Sequence, residues 1–110
     1  MNRLAASING VPFETTVTNL GINYLALTFQ QSTNAPDRTF TMLVTSNLAE
    51  QLSQWQMGSS YSGANTISDT TNTTEVSRVL TNNVEVITVR DNVPMNAAPH
   101  RFMTVRVTVP

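Results

Sequence analysis

The chain has 110 residues, no cysteine, 12% charged residues and a formal net charge of −1. That length sets a single domain, residues 1–110, able to bury one core without covalent staples. The composition rules out disulfides and thiolate metal sites, and the near-neutral balance supplies no field to draw in nucleic acid or an anionic membrane.

The charged share is about half the usual ~25%, and Thr, Asn and Ser replace it. All six basic residues are Arg. Lys is the common guard on exposed strand edges, so a β protein without it has to protect its edges by other means. Pairing with a neighbouring subunit is one of them. The opening residues, MNRLAASING, hold no apolar run long enough for a secretory h-region. The expectation is synthesis in the cytosol without a cleaved signal.

In chain order, Arg3–Ile8 fits a short first strand, and Asn9-Gly10 is a type I′ hairpin signal. Val11–Thr18 forms a second strand and Asn19-Leu20-Gly21 a second turn. Ile22–Gln30 carries apolar residues on both faces, as a central strand does. Residues 31–37 form a polar loop. Arg38–Thr45 alternates, with Phe40, Met42 and Val44 on one side. These last two strands are expected to pair as a long hairpin.

Ser46–Gly58 has the pattern of a helix, expected at about 47–57. Leu48, Leu52 and Trp55 fall at i, i+4 and i+7. Asn47 and Glu50 make a capping-box-like pair, and Gly58 stands where a left-handed C′ residue belongs. Residues 59–74 are rich in Ser, Thr and Asn, which predicts a flexible polar loop or arm with a short extended piece near Thr66–Ser68. Glu75–Thr81 and Val84–Arg90 flank Asn82-Asn83 as a hairpin. A change of apolar parity at Val86 and Ile87 points to a bulge or to burial on both faces. Asp91–His100 is an ordered loop. Arg101–Pro110 is a final strand, with Met103, Val105, Val107 and Val109 expected inward and Arg106 outward.

The fold class is therefore all-β: a β-sandwich or partly closed barrel of about six to eight mostly antiparallel strands with one short helix. No nucleophile elbow, phosphate-binding glycine loop or paired-carboxylate motif stands in the chain. His100 is a lone loop histidine, and the acids are scattered. The expectation is a non-enzymatic protein with no cofactor and no metal.

In composition and expected architecture the chain looks like the small accessory proteins of tailed-phage particles, the capsid cement or decoration proteins and the tail-tube barrels. The likeness implies a virion component that binds itself, as a trimer or ring, and a major structural protein such as a capsid protein, with no direct nucleic-acid or membrane contact. Arg101, Arg106, Arg3 and Tyr61 are the expected partner-binding residues, the arginines as rim contacts to carboxylates. The alternative is a carbohydrate- or small-ligand-binding β-sandwich with Tyr61 and Trp55 as stacking residues.

Overall fold

The structure is a computed structural model that describes residues 13–32, 38–62, 65–97 and 100–108. Among these residues eight strands follow one another: β1 (Phe13–Asn19), β2 (Ile22–Ser32), β3 (Thr39–Thr45), β4 (Gln56–Tyr61), β5 (Thr66–Ile67), β6 (Thr73–Thr81), β7 (Val84–Asp91) and β8 (Phe102–Thr108). They form two antiparallel four-stranded sheets, ordered β1-β2-β7-β6 and β5-β4-β3-β8. The two sheets face each other across one core, which makes the domain a β-sandwich. The expected strands at Arg3–Ile8 and the Asn9-Gly10 turn lie outside the described residues.

Two tight turns set the hairpins of the first sheet. Leu20 and Gly21 join β1 to β2 with φ of 55° and 81°, and Asn82 and Asn83 join β6 to β7 with φ of 50° and 68°. Two successive positive φ values match the right-handed twist of the flanking strands. Asparagine tolerates that region, whereas an aliphatic residue such as Leu20 enters it at a cost.

The inner faces follow from period-two alternation. Leu27 and Phe29 of β2, Ile87 and Val89 of β7, Phe40, Met42 and Val44 of β3, Tyr61 of β4 and Met103 of β8 make the core. Phe29 stacks on Phe40 with centroids 5.1 Å apart and meets Tyr61 at 5.4 Å. β2 is central in its sheet, between β1 and β7, and its Ala26–Phe29 stretch is buried on both faces. On its outer face Thr28 and Thr88 share a hydroxyl hydrogen bond of 2.8 Å.

Several expectations are corrected. β2 and β3 do not pair with each other: β2 pairs with β1 and β7, and β3 with β4 and β8. Their apolar faces meet across the sandwich instead of side by side, as the Phe29–Phe40 stack shows. The bulge lies on β6, between Glu75 and Ser77, and not at Val86 and Ile87, because β7 runs regularly with Ile87 and Val89 inward. On β8 the inward face runs out early, with Val107 49% exposed.

The helix at 47–57 is absent. Only a single 3-10 turn, Leu52–Gln54, forms there. Leu48 and Leu52 are exposed and Trp55 alone is buried. The capping residues act as turn residues: the Asn47 amide oxygen accepts from the Ala49 N–H, and Glu50 N–H donates to the Asn47 carbonyl. The Glu50 carboxylate reaches back to the Thr45 hydroxyl instead of to a helix N-terminus. Gln56–Tyr61 is drawn into pairing with β3, which a helix through residue 57 would leave without a neighbour.

Gly58 has a different role from the expected helix cap. A Cβ at this position would lie 2.3 Å from the Thr73 side chain. The missing side chain lets β4 and the start of β6 approach closely. There the Ser59 N–H donates to the Thr73 hydroxyl at 2.6 Å, and the Ser59 hydroxyl donates to the Ser68 carbonyl. Residues 59–74 thus contain the end of β4, the two residues of β5 and the start of β6, with Ser59, Tyr61 and Thr73 fully buried.

Candidate functional site

The expected partner residues have separate environments. Arg101 is not a rim residue. Its side chain is 8% exposed, and its guanidinium forms a two-pronged ion pair with the fully buried Asp91, at 2.7 Å from Nε and 2.9 Å from Nη2. A third donor, Nη1, reaches the Ser46 hydroxyl at 2.8 Å. The Asp91 carboxylate also accepts from the Val93 N–H at 3.1 Å. The planar fork of Arg suits such bidentate pairing, and the arrangement ties the end of β7 to the start of β8.

Tyr61 is likewise internal, with no accessible ring face for stacking a ligand. Its hydroxyl donates to Glu75 at 2.9 Å, and the Arg78 guanidinium sits 5.2 Å from the ring centroid. Burial, then the hydrogen bond to the Glu75 carboxylate and its charge, push the phenol well above its ordinary range. Arg78 in turn donates to Glu75 at 2.7 Å and lies 3.6 Å from Glu85, and the Glu75 bond pushes its guanidinium up. Trp55 is buried, its indole N–H donating to the Glu50 carbonyl at 3.1 Å.

Arg106 is exposed, as expected, and among the described residues its guanidinium bonds only to the Met57 sulfur, at 3.7 Å. Arg3 lies outside the described residues. His100 is exposed and stacks beside Phe102 at 6.4 Å. Among the described residues no group of three or more His, Asp or Glu is placed to hold a metal.

The surface that stands out is a sheet edge that sequence reasoning passed over. Among the described residues β6 pairs on one side only, with β7. Val76, Val79 and Leu80 on this strand are 46%, 57% and 61% exposed. The two-residue turn makes Thr81 and Val84 a hydrogen-bonded pair, so Val79 and Ser77 also bond to β7. The backbone groups of Arg78 and Leu80 therefore point to the open side. Val79 lies on the outer face beside Val86, opposite in parity to the inward Ile87. The legible signal was the sequence EVSRVLT itself: three aliphatic residues with no inward partner set and one arginine. β1, β5 and β8 are the other sheet edges, pairing only with β2, β4 and β3 among the described residues. Set against known protein families, curated proteins and solved structures, the chain matches none.

Proposed function

We propose that this domain is a non-enzymatic structural module that joins a larger assembly by strand addition at its open edges, with β6 as the first contact. The observation that supports this is the β6 edge: apolar, half-exposed, and in a chain that contains no Lys. The bulge at Val76 bends the strand and leaves residues 77–81 as the straight, pairable part.

The outward backbone groups select a register. If a second copy adds antiparallel, Arg78 and Leu80 of one chain bond to Leu80 and Arg78 of the other, and the two Val79 side chains meet on the two-fold axis. A register centred on Arg78 sets two guanidinium groups opposite each other and is disfavoured. The setting proposed is the one composition suggests, a tailed-phage-like particle in which a capsid-type protein is the other partner.

The test is cysteine crosslinking of the purified protein together with sedimentation. Val79→Cys should form a disulfide-linked dimer under mild oxidation, because directly opposed non-hydrogen-bonded residues have Cβ atoms about 4.5–5.5 Å apart. Ser77→Cys should not, since its copies lie four residues out of register. A protein that sediments as a monomer at every concentration, with Val79→Cys uncrosslinked, would sink the reading.

A further inference from the structure

A polar cleft opens at the end of the second sheet, away from the β6 edge. It encloses about 330 Å³ and is lined chiefly by Ser46, Asn47, Glu50, Gln54, Gln56 and Arg101. That volume is at the small end for ligand sites, which run from roughly 300 to 1,000 Å³. The turn after β3 and the start of β4 supply most of the wall, and Arg101 stands at its base.

The charges there are unequal in what they offer. Arg101 is already neutralised by Asp91 at 2.7 Å, so it presents spare N–H donors without a free positive charge. One oxygen of the Glu50 carboxylate accepts from the Thr45 hydroxyl at 2.5 Å, and the other oxygen bonds to none of the described residues. The side-chain amides of Gln54 and Gln56 have no partner among the described residues. The Asn47 oxygen is used by the Ala49 N–H, which leaves its NH₂ to donate outward. The wall thus offers planar groups with paired donors and acceptors, and one uncompensated carboxylate.

We propose that this cleft binds an uncharged saccharide unit. Each sugar hydroxyl both donates and accepts, and adjacent hydroxyls match the two-atom fork of an amide or carboxylate. The uncompensated Glu50 disfavours anions, including acidic sugars. Among the described residues no aromatic ring lines the cleft, so recognition is by hydrogen bonds and the affinity is weak, on the order of millimolar.

The protein carries its own reporter. Trp55 is the single tryptophan, and its indole N–H is bonded to the backbone of Glu50. Titration with glucose, galactose, mannose and N-acetylglucosamine should shift Trp55 emission saturably for at least one sugar. The same titration should move backbone amide signals of residues 46–56. The double variant Gln54→Ala/Gln56→Ala, which alters only exposed side chains, should lose affinity about tenfold or more while its urea midpoint stays unchanged. No response to any of the four sugars up to their solubility overturns the proposal, as does an unchanged affinity in the double variant. Tighter binding of glucuronate than of glucose, or of inorganic phosphate than of any sugar, also overturns it, because the charge argument then has the wrong sign.

Discussion

Replacing Arg101 with Met keeps the aliphatic stem and removes the guanidinium. It leaves the Asp91 carboxylate, at 0% exposure, with the Val93 N–H as its one remaining hydrogen-bond donor among the described residues. Breaking a buried ion pair from one side costs about 3–5 kcal/mol, since the surviving charge cannot regain its water. That is a large part of the ~5–15 kcal/mol that holds a domain of this kind together. Urea unfolding followed by Trp55 fluorescence should show a lower midpoint at unchanged slope. Asp91→Asn in the Arg101→Met background should then cost less than it does in the wild type, giving a coupling of at least about 2 kcal/mol. Arg106→Glu is the control: that side chain is exposed and among the described residues bonds only to the Met57 sulfur, so stability should hold within about 0.5 kcal/mol. A loss below about 1 kcal/mol for Arg101→Met, the range of surface pairs, would refute the burial argument.

Three further outcomes are expected. Gly58→Ala should destabilise by about 1–3 kcal/mol by overpacking, because its Cβ falls 2.3 Å from the buried Thr73, and the same urea melts would show it. Leu20→Asn should raise the melting temperature, since Asn suits the φ of 55° that Leu20 adopts at 93% exposure; an unchanged or lower value would contradict the turn assignment. Tyr61 holds its proton more tightly when folded than when unfolded, where the phenol titrates near about 10. Its contribution is therefore intact below that pH and is lost as pH rises above it, so stability should fall from about pH 10 upward, and less steeply in Tyr61→Phe.

Much of the sandwich was legible because local rules and tertiary packing agree along most strands. The turns at Leu20-Gly21 and Asn82-Asn83, the central position of β2 and the inward set Phe40, Met42 and Val44 all follow from turn chemistry and period-two alternation. The helix misreading arose because Leu48, Leu52 and Trp55 match a helical stripe by spacing, yet two of the three are exposed. Spacing cannot register that β3 needs a neighbour. Pairing draws Gln56–Tyr61 into a strand, and the close approach to Thr73 gives Gly58 a use that no helix pattern contains.

The site was less legible for a related reason. The expectation of Arg101 as a rim residue rests on its place at the start of the final strand. A cue was present on the other side of the loop: Ile87, Val89 and Asp91 alternate inward, so the last of the three takes a carboxylate into the interior and requires a cation there. The partner lies ten residues on, beyond a loop whose length hides the proximity. Its Ser-rich surroundings place Tyr61 in a polar loop, but it sits two residues from the buried Ser59 on the inner face of β4.

The crossing of the chain between the sheets has a consequence for the order in which the domain is assembled. Three pieces are local: β1 with β2, β3 with β4 and β5, and β6 with β7. Two pairings are long-range: β2 with β7, as at Ala26 opposite Arg90, joins the first piece to the third, and β3 with β8, as at Thr39 opposite Thr108, adds the last strand to the second, each closing a circuit through most of the chain. Circuits of that length are entropically costly to close before contacts reward them, which places such a sandwich among the folders of milliseconds to seconds. A chain emerging from the ribosome can form its hairpins early, but β3 acquires its second neighbour only after β8 has been synthesised. Until then one flank of Phe40, Met42 and Val44 lacks its strand, and the half-made second sheet depends on a chaperone or on speed to stay out of the wrong partnership.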